Sequence, residues 1–288
     1  MFACQLFGIN RQIHYRSIRG RVVRQSNAEQ VIDMIAEIRR FMPRIGTRKL
    51  YYLLEEKLKV IKIGRDKFFG ILRANHLLIR PKRSYHITTD SHHRFRKHKN
   101  LLANIAITRP DQVWVSDITY IGKREKPCYL SLITDAYSKK IVGYNVAGNM
   151  ETESTAMALR MAVRHRKDKT LPLIHHSDRG IQYCSDDYQK VLAKHNIKCS
   201  MTNNGDPYEN AVAERINGIL KQEFVIDTYH ADLNIMRKLV KEAIDIYNEQ
   251  RPHYSNYMLT PIQMHDQCNV SMRTYKKKNS SKNELTAV

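Results

Sequence analysis

The sequence predicts an α/β domain with a mixed five-stranded sheet and helices on both faces, preceded by a small all-α helix-turn-helix domain. Charge separates the two parts: residues 1–110 hold 24 Lys and Arg against 7 Asp and Glu, whereas residues 111–288 hold 25 against 21. Helical periodicity fills the first part, while three strand patterns open the second before helices and strands alternate. A chain of 288 residues also suits about two domains.

The formal net charge of +21 indicates a polyanionic partner. DNA or RNA is favoured over an anionic membrane surface, and a merely soluble basic surface is the alternative. No apolar run of about 18 residues is present, and the N-terminus lacks the pattern of a secretory signal. The five cysteines are scattered without a CxxC pair, which indicates neither disulfides nor a zinc site and fits a reducing cytosol.

The basic part divides into an incomplete helical segment at residues 1–26 and a helix-turn-helix domain at residues 27–80. A start signal at Ser26-Asn27 predicts the first of three helices, and the third begins near Gly64. Two short helices around a glycine-bearing turn, the second of them basic, are typical of helix-turn-helix proteins. A plain three-helix bundle with solvated charges is the alternative. The predicted DNA contacts of this domain are Arg48, Arg65, Lys67 and Arg73.

Residues 81–110 are predicted to be a basic linker. Its interleaved aromatic residues suit phosphate contact and base stacking, and a solvated tether is equally consistent with the pattern. Its histidines lack cysteines at zinc-finger spacing, so metal binding there is not favoured. The α/β domain occupies residues 111–269, and a basic flexible tail follows at residues 270–288.

The α/β domain opens with three strands that are separated by short turns, which predicts an antiparallel meander. Alternating helices and strands follow, which implies a mixed sheet covered on both faces. The predicted strands are Gln112–Ile121, Cys128–Ser138, Ile141–Ala147, Leu171–His175 and Ile197–Met201. The predicted helices are Glu151–Arg166, Asp186–His195, Asp206–Phe224 and Leu233–Asn248.

Two carboxylates lie at informative positions in these strands. Asp117 interrupts an apolar and β-branched strand, where a buried carboxylate costs several kcal/mol unless a cation meets it. Either a basic side chain or a metal ion is therefore expected beside it. Asp178 follows the fourth strand, at the end where open α/β sheets place their ligand sites.

A third carboxylate lies on the helix that follows the fifth strand. Asp206 is a good N-cap for this helix, and Glu209 lies three residues later, as in a capping box. One polar stripe at helical spacing then runs along the helix. Its members are Asn210, Glu214, Asn217 and Lys221.

Asp117, Asp178 and Glu214 together suggest a metal site. Clustered carboxylate oxygens suit Mg²⁺ or Mn²⁺, and two such ions serve phosphoryl transfer. The alternative for any one of these carboxylates is a surface group or an ion pair. The occurrence of all three in a strongly basic protein favours the metal site.

Three blocks, WVSDITYI, IHHSDRGIQY and ENAVAERINGILKQEF, resemble the catalytic blocks of DDE transposases and retroviral integrases. Between Asp178 and Glu214 lie 35 residues, the spacing of that superfamily, and Lys221 occupies the position where the family carries a basic residue. The stretch YNEQRPHYSNYMLTPIQMH resembles the end of the same domain. The N-terminal part, with GTRKL and IRPKRSYHITT, is similar to the helix-turn-helix portion of bacterial insertion-sequence transposases made from two overlapping reading frames.

The resemblance implies a ribonuclease-H-like core that cleaves DNA and transfers strands at insertion-sequence ends. It implies Asp117, Asp178 and Glu214 as catalytic residues and ligands of Mg²⁺ or Mn²⁺, with two ions expected. Lys221 is implied as a DNA contact near the site. Further predicted DNA contacts are Arg179, Asn210 and Asn217.

The resemblance also implies the partners and the setting. We expect double-stranded element ends and target DNA, further copies of the chain on that DNA, and an upstream-frame protein or fusion partner. The setting would be the bacterial cytoplasm, at the nucleoid, with no membrane partner. Retroviral integrases carry a His-His-Cys-Cys zinc module for which this chain has no cysteine pair, which sets it with the bacterial elements.

Two alternatives remain at this point. One is a metal-dependent nuclease of the same fold that cuts without joining, and the other is a DNA-binding regulator with an inactive core. The presence of Asp117, Asp178 and Glu214 argues against the regulator.

Overall fold

A computed structural model describes residues 6–8, 10–80, 98–102, 105–122, 127–202, 210–229 and 231–273. Its first three helices, which we call the helical module, are α1 (Arg11–Phe41), α2 (Thr47–Val60) and α3 (Arg65–Ala74). All three carry an apolar face, and these faces meet in one core through residues such as Ile35, Leu54 and Phe68. The helical periodicity of the sequence is therefore explained by burial at this junction.

Helix α1 begins far earlier than the sequence pattern predicts. The side chain of Asn10 caps it by accepting a hydrogen bond from the backbone N–H of Gln12 at 2.8 Å. The predicted start at Ser26-Asn27 is wrong because residues 11–26 contain no proline and are mostly compatible with a helix. Ser26 and Asn27 lie within the helix, so the proposed boundary after residue 26 falls inside α1.

The second part of the chain contains the five-stranded sheet that the sequence predicts. The strands are β1 (Val113–Ile121), β2 (Cys128–Asp135), β3 (Ile141–Ala147), β4 (Leu173–Ser177) and β5 (Ile197–Met201). Their order across the sheet is β3-β2-β1-β4-β5. The first three strands form an antiparallel meander, and β4 and β5 run parallel to β1. The mixed sheet is confirmed, and it places β1 at its centre.

Helices cover both faces of the sheet, as predicted. The helices that complete the chain are α4 (Thr152–His165), α5 (Ile181–Cys184), α6 (Asp186–Lys194), α7 (Ala211–Gln222), α8 (Leu233–Glu249) and α9 (Pro261–His265). One core lies between the sheet and α4–α6 and includes Trp114 and Leu159. The other lies under α7 and α8 and includes Leu132 and Val240.

The capping box predicted at Asp206 and Glu209 lies outside the described residues, as do residues 81–97 of the predicted linker and the tail from residue 274. The described end of the linker lies against the sheet. Leu101 donates its N–H to the hydroxyl of Ser200 on β5 at 2.9 Å. Within the described ranges, no helix combines the length and the hydropathy that membrane crossing requires.

The helical module packs directly on the α/β domain. Apolar residues of α1–α3 and of α7 and α8 belong to one continuous buried cluster. The N–H of Arg44, in the turn between α1 and α2, donates to the carbonyl of Glu223 at 2.9 Å. The module therefore meets the α/β domain at the carboxyl end of α7.

Candidate active site

Asp117 lies in the middle of the central strand β1, opposite Leu132 of β2. Alternation along the strand places it on the same face as Val113 and Val115, which pack with Ala213 of α7. This face is the one that α7 covers. The apolar neighbours therefore hold the strand under α7 and fix the position of the carboxylate.

Two hydrogen bonds orient the Asp117 carboxylate. Its Oδ1 accepts from the N–H of Ile118 at 2.9 Å, and its Oδ2 accepts from the side-chain amide of Asn217 at 2.7 Å. One turn before Glu214, Asn210 donates to the carbonyl of Ser116 at 3.1 Å. Helix α7 is thus tied to β1 by two amides on its predicted polar stripe.

The two asparagines lie in the protein interior, where their side chains do not have the exposure that a DNA contact needs. Asn210 is 5% exposed and Asn217 is 4% exposed. The helical spacing correctly places them on one stripe of α7, but that stripe faces the sheet at these positions. The prediction that they contact DNA is corrected here, because their amides bind β1.

Asp178 follows β4 directly, at the carboxyl end of that strand. Its Oδ1 accepts a hydrogen bond from the N–H of Gly180 at 3.0 Å. A Cβ atom at residue 180 would lie only 3.0 Å from this oxygen and 3.3 Å from the side-chain oxygen of Gln182. Glycine at this position therefore lets the backbone approach the carboxylate closely.

Glu214 completes the set from α7. It lies in the first described turn of that helix and is exposed to solvent. Its carboxyl group is nevertheless partly desolvated by neighbouring protein, and this, followed by the negative charge of Asp178, raises the pKa of Glu214. The charge of Asp178 therefore acts on Glu214, although the two residues belong to different elements.

Asp117 shows the same coupling more strongly. Burial raises the pKa of Asp117 to about 7, the charges of Asp178 and Glu214 add to this rise, and the hydrogen bond from Asn217 opposes it. No Lys or Arg among the described residues lies within ion-pair distance of Asp117. Three carboxylates thus share one electrostatic site, which we call the triad, and a cation would relieve their repulsion.

The chemistry of the triad fits a divalent cation. Its donors are carboxylate oxygens, which Mg²⁺ and Mn²⁺ prefer. In the structure the three residues do not bring one oxygen each within 4.8 Å of one another, so any metal coordination would require adjustment of these side chains. The sequence left open either a basic side chain or a metal ion beside Asp117. Among the described residues, no basic side chain lies there.

A cavity of about 250 Å³ opens beside the triad. Asp117 and Asp178 line it, together with Tyr129 of β2, Met150 and Gln182. Gln182 is held by a hydrogen bond from its amide to the carbonyl of Met150 at 3.1 Å. The sequence analysis did not identify Tyr129 or Gln182, because neither belongs to a recognisable spacing with the acids.

A buried polar network lies behind β1 and was also missed. The Nε2 of His175 is 2.7 Å from the hydroxyl of Ser116 and 2.9 Å from that of Tyr188. Burial lowers the pKa of His175 to about 3, which keeps the ring neutral. Ser116 precedes Asp117 and His175 lies on β4, so the network joins the strand that carries Asp117 to the strand that Asp178 follows.

A second acidic cluster, which the sequence analysis did not predict, lies at the start of β1. Asp111, Asp135 and His265 bring potential ligand atoms within 4.8 Å of one another; it is the sole group of this kind within the described ranges. We call it the Asp135 cluster. Asp135 accepts hydrogen bonds from the N–H and the hydroxyl of Ser138, both at 2.7 Å, so its charge is met by protein groups.

The remaining predicted site residues lie in two places. Lys221 is half-buried two turns beyond Glu214 on α7, and Arg179 is half-buried next to Asp178. The four DNA contacts predicted in the helical module are exposed on α2 and α3 and do not join the triad. They are Arg48, Arg65, Lys67 and Arg73.

Comparison with known proteins identifies the family. Two family models, both described as integrase core domain, match residues 107–207 and 195–261. A 31 kDa protein of insertion element IS600 from Shigella sonnei is 34% identical over 254 residues, covering 87% of this chain and 92% of its own length. The transposase InsF of insertion sequence IS3fB from Escherichia coli K12 is 33% identical over 198 residues, or 68% of each chain.

Solved structures with similar folds are more distant. The catalytic core of HTLV-2 integrase, in a complex with magnesium, is 19% identical, covers 55% of this chain and 97% of its own, and gives a TM-score of 0.44. A simian T-cell lymphotropic virus intasome bound to a PP2A regulatory subunit is 17% identical over 81% of this chain and 79% of its own, with a TM-score of 0.49. The family assignment rests on the insertion-sequence relatives and the integrase core model. The chain belongs to the DDE transposases of bacterial insertion sequences, within the retroviral integrase superfamily.

Proposed function

We propose that Asp117, Asp178 and Glu214 form the centre at which this transposase cuts and joins DNA. The observation that carries the proposal is the placement of carboxylates from β1, from the loop after β4 and from α7 around one site. Burial, followed by the charge of Asp178, raises the pKa values of both Asp117 and Glu214. Perturbed carboxylates beside a cavity are typical of functional sites. Family membership favours this function over a nuclease that only cuts and over an inactive regulator.

Mg²⁺ or Mn²⁺, as two ions, is the proposed cofactor, and the triad residues would hold it. When bound, divalent cations neutralise charge on the phosphate and favour both the attacking and the leaving oxygen. The chain's own groups orient the ligands. Asn217 fixes one oxygen of Asp117, and the N–H of Gly180 fixes one oxygen of Asp178.

The proposed chemistry has two steps. Water attacks a phosphodiester at the element end, a new P–O bond forms, the bond to the 3′ oxygen breaks, and that oxygen takes up a proton. The freed 3′-OH then attacks a target phosphodiester, which forms one P–O bond, breaks another and releases a new 3′-OH. The protein supplies positioning and charge neutralisation, and no covalent bond between protein and DNA is required.

Double-stranded DNA, both element ends and target, is the proposed substrate. The four exposed basic residues of α2 and α3 suit contacts to phosphates, and Lys221, on the same helix as Glu214, and Arg179, next to Asp178, are the contacts proposed near the triad. The proposed division keeps residues 81–110, 111–269 and 270–288, whereas the boundary between residues 1–26 and 27–80 is given up because α1 runs through it. Further copies of the chain, an upstream-frame partner and a position at the nucleoid complete the proposal.

A strand-transfer assay with a labelled element end and Mg²⁺ tests this function. We expect joined product from the native protein, and a loss of both cutting and joining in Asp178→Asn and Glu214→Gln, with DNA binding retained. Cut DNA without joined product would instead favour the nuclease. DNA binding that is equal in all variants, with no cutting by the native protein, would favour the regulator.

A further inference from the structure

A buried cluster of three charges joins the helical module to the catalytic helix α7. Glu223 directly follows α7, and both of its carboxylate oxygens accept from the guanidinium of Arg251, at 2.8 Å each. Lys49 of α2 reaches the same two oxygens at 3.0 and 3.3 Å. Arg251 is only 1% exposed, so this is an interior cluster and not a surface ion pair.

The cluster lies at the end of the element that carries the third carboxylate of the triad. Glu214 and Glu223 are both held by α7 and its C-cap, and a helix is a rigid connection over that length. The module holds this end through two separate bonds, the Lys49 ammonium to the carboxylate and the Arg44 N–H to the backbone carbonyl. Any displacement of the module therefore acts directly on α7.

Lys49 is not needed to satisfy Glu223. Arg251 already occupies both oxygens in a two-pronged pair, which is the strongest arrangement a carboxylate can make with one side chain. Adding Lys49 brings a second cation close to Arg251, and burial, followed by the charge of Arg251, lowers the pKa of Lys49 to about 8. A buried third charge of this kind need not add net stability, so a role in holding α2 and α7 at a fixed distance is the one we consider.

We propose that Lys49 and Glu223 are positioning residues that set the distance along the DNA between the segment held by the helical module and the phosphodiester presented to the triad. The proposal rests on the function proposed above. Neither residue touches the reacting atoms in this assignment. They act by fixing α7 relative to α2, so that the module and the triad bind the same DNA in one register.

The position of the cut on end-labelled element DNA is the measurement that separates this role from a simple stabilising role. Loss of stability lowers the amount of active protein but leaves the cut at the same phosphodiester. Loss of register moves or spreads the cuts. The variants are Lys49→Met, which keeps the aliphatic stem, Lys49→Arg, which keeps the charge, and Lys59→Met as matched control, because Lys59 lies exposed on the same helix and pairs only with Glu55 and Glu56.

We expect Lys49→Met to bind the DNA end as the native protein does, and to lose about tenfold of its cutting at the native phosphodiester while neighbouring cuts appear. Lys49→Arg and Lys59→Met should keep the native cut. If Lys49→Met does not fold, Lys49→Gln and Glu223→Gln take its place. The proposal is overturned if Lys49→Met, or the variant that takes its place, folds and cuts only at the native phosphodiester.

The same gel separates this inference from the proposed function. If the native protein makes no cut, or Asp178→Asn cuts like the native protein, the proposed function fails. If the native protein cuts, Asp178→Asn does not, and Lys49→Met leaves the cut in place, only the positioning role fails.

Discussion

Strand β1 and its approach carry two acidic clusters that differ in how their charges are met. In the triad, burial and neighbouring carboxylates raise the pKa of Asp117 to about 7. In the Asp135 cluster, burial also opposes ionisation, but the nearby His265, 3.8 Å from Asp135, followed by hydrogen bonds from Ser138, leaves the pKa of Asp135 below its ordinary value. Proximity of acids alone therefore does not mark a site, whereas an unmet charge does.

The hydrogen bonds of the Asp135 cluster also distinguish it from the triad. Asp111 accepts from the indole N–H of Trp114 at 2.8 Å, and its own N–H donates to Asp135 at 2.8 Å. His265 lies 3.0 Å from the hydroxyl of Ser138, which in turn donates to Asp135. The Asp135 cluster thus ties the start of β1, the end of β2 and helix α9 together, and we interpret it as structural.

Asp117→Asn should produce the largest effect. We expect strand transfer to fall by about a thousandfold or more, equivalent to about 4 kcal/mol of transition-state stabilisation. The fold should persist, because the amide no longer carries a charge that burial and two acids disfavour. Transfer rates and thermal melting at pH 8 measure both expectations, and Asp187→Asn, at an exposed residue of α6, is the control. Loss of folding in Asp117→Asn would assign Asp117 to the structural class.

Asp135→Asn should have the opposite effects, a loss of stability with activity retained. Replacing a buried carboxylate that has several donors should cost about 3 kcal/mol of unfolding free energy. Activity per folded molecule should stay near the native level, because the triad keeps its own contacts. Urea unfolding combined with transfer rates normalised to folded protein tests this. A stable variant that has lost activity would contradict the structural interpretation of the cluster.

The dependence of stability on pH and on Mg²⁺ should show the smallest effect. Because the folded-state pKa of Asp117 is raised, its contribution to stability is present below about pH 4 and is lost as pH rises towards about 7. The contribution of Asp135 to stability depends on pH in the opposite direction. Because the pKa of Asp135 is lowered in the folded protein, this contribution is lost as pH falls below the ordinary pKa of an aspartate.

At pH 8, millimolar Mg²⁺ should therefore stabilise the native protein by about 1–2 kcal/mol and Asp117→Asn by much less. Melting temperatures with and without Mg²⁺ measure the difference, and Asp135→Asn should respond as the native protein does. Equal shifts in the native protein and in Asp117→Asn would mean that Mg²⁺ binds elsewhere.

The mixed sheet and the positions of the triad residues could be predicted from the sequence because each depends on a local pattern. Asp117 interrupts an apolar strand, Asp178 ends one, and Glu214 lies on a stripe of helical spacing. The direction of that stripe could not be predicted. Periodicity tells which residues share a face of α7, but only packing decides that Asn217 meets Asp117 and not solvent.

Other features depend on residues distant in sequence. His265 reaches Asp135 from the last described helix, and Lys49 reaches Glu223 from the helical module, and neither pair leaves a local signal. The prediction of where α1 starts was wrong for a different reason. Ser26 and Asn27 are good caps in isolation, but a helix that is already formed passes through them when nothing breaks it.

Trp114 gives the protein an internal optical reporter. It is the one tryptophan in the sequence, it is fully buried, and its indole N–H is bonded to Asp111. Its emission therefore depends on the surroundings of the Asp135 cluster, and unfolding of β1 would expose the ring and shift its fluorescence to the red. Fluorescence then follows the start of β1 and DNA cutting follows its middle, in a single unlabelled sample.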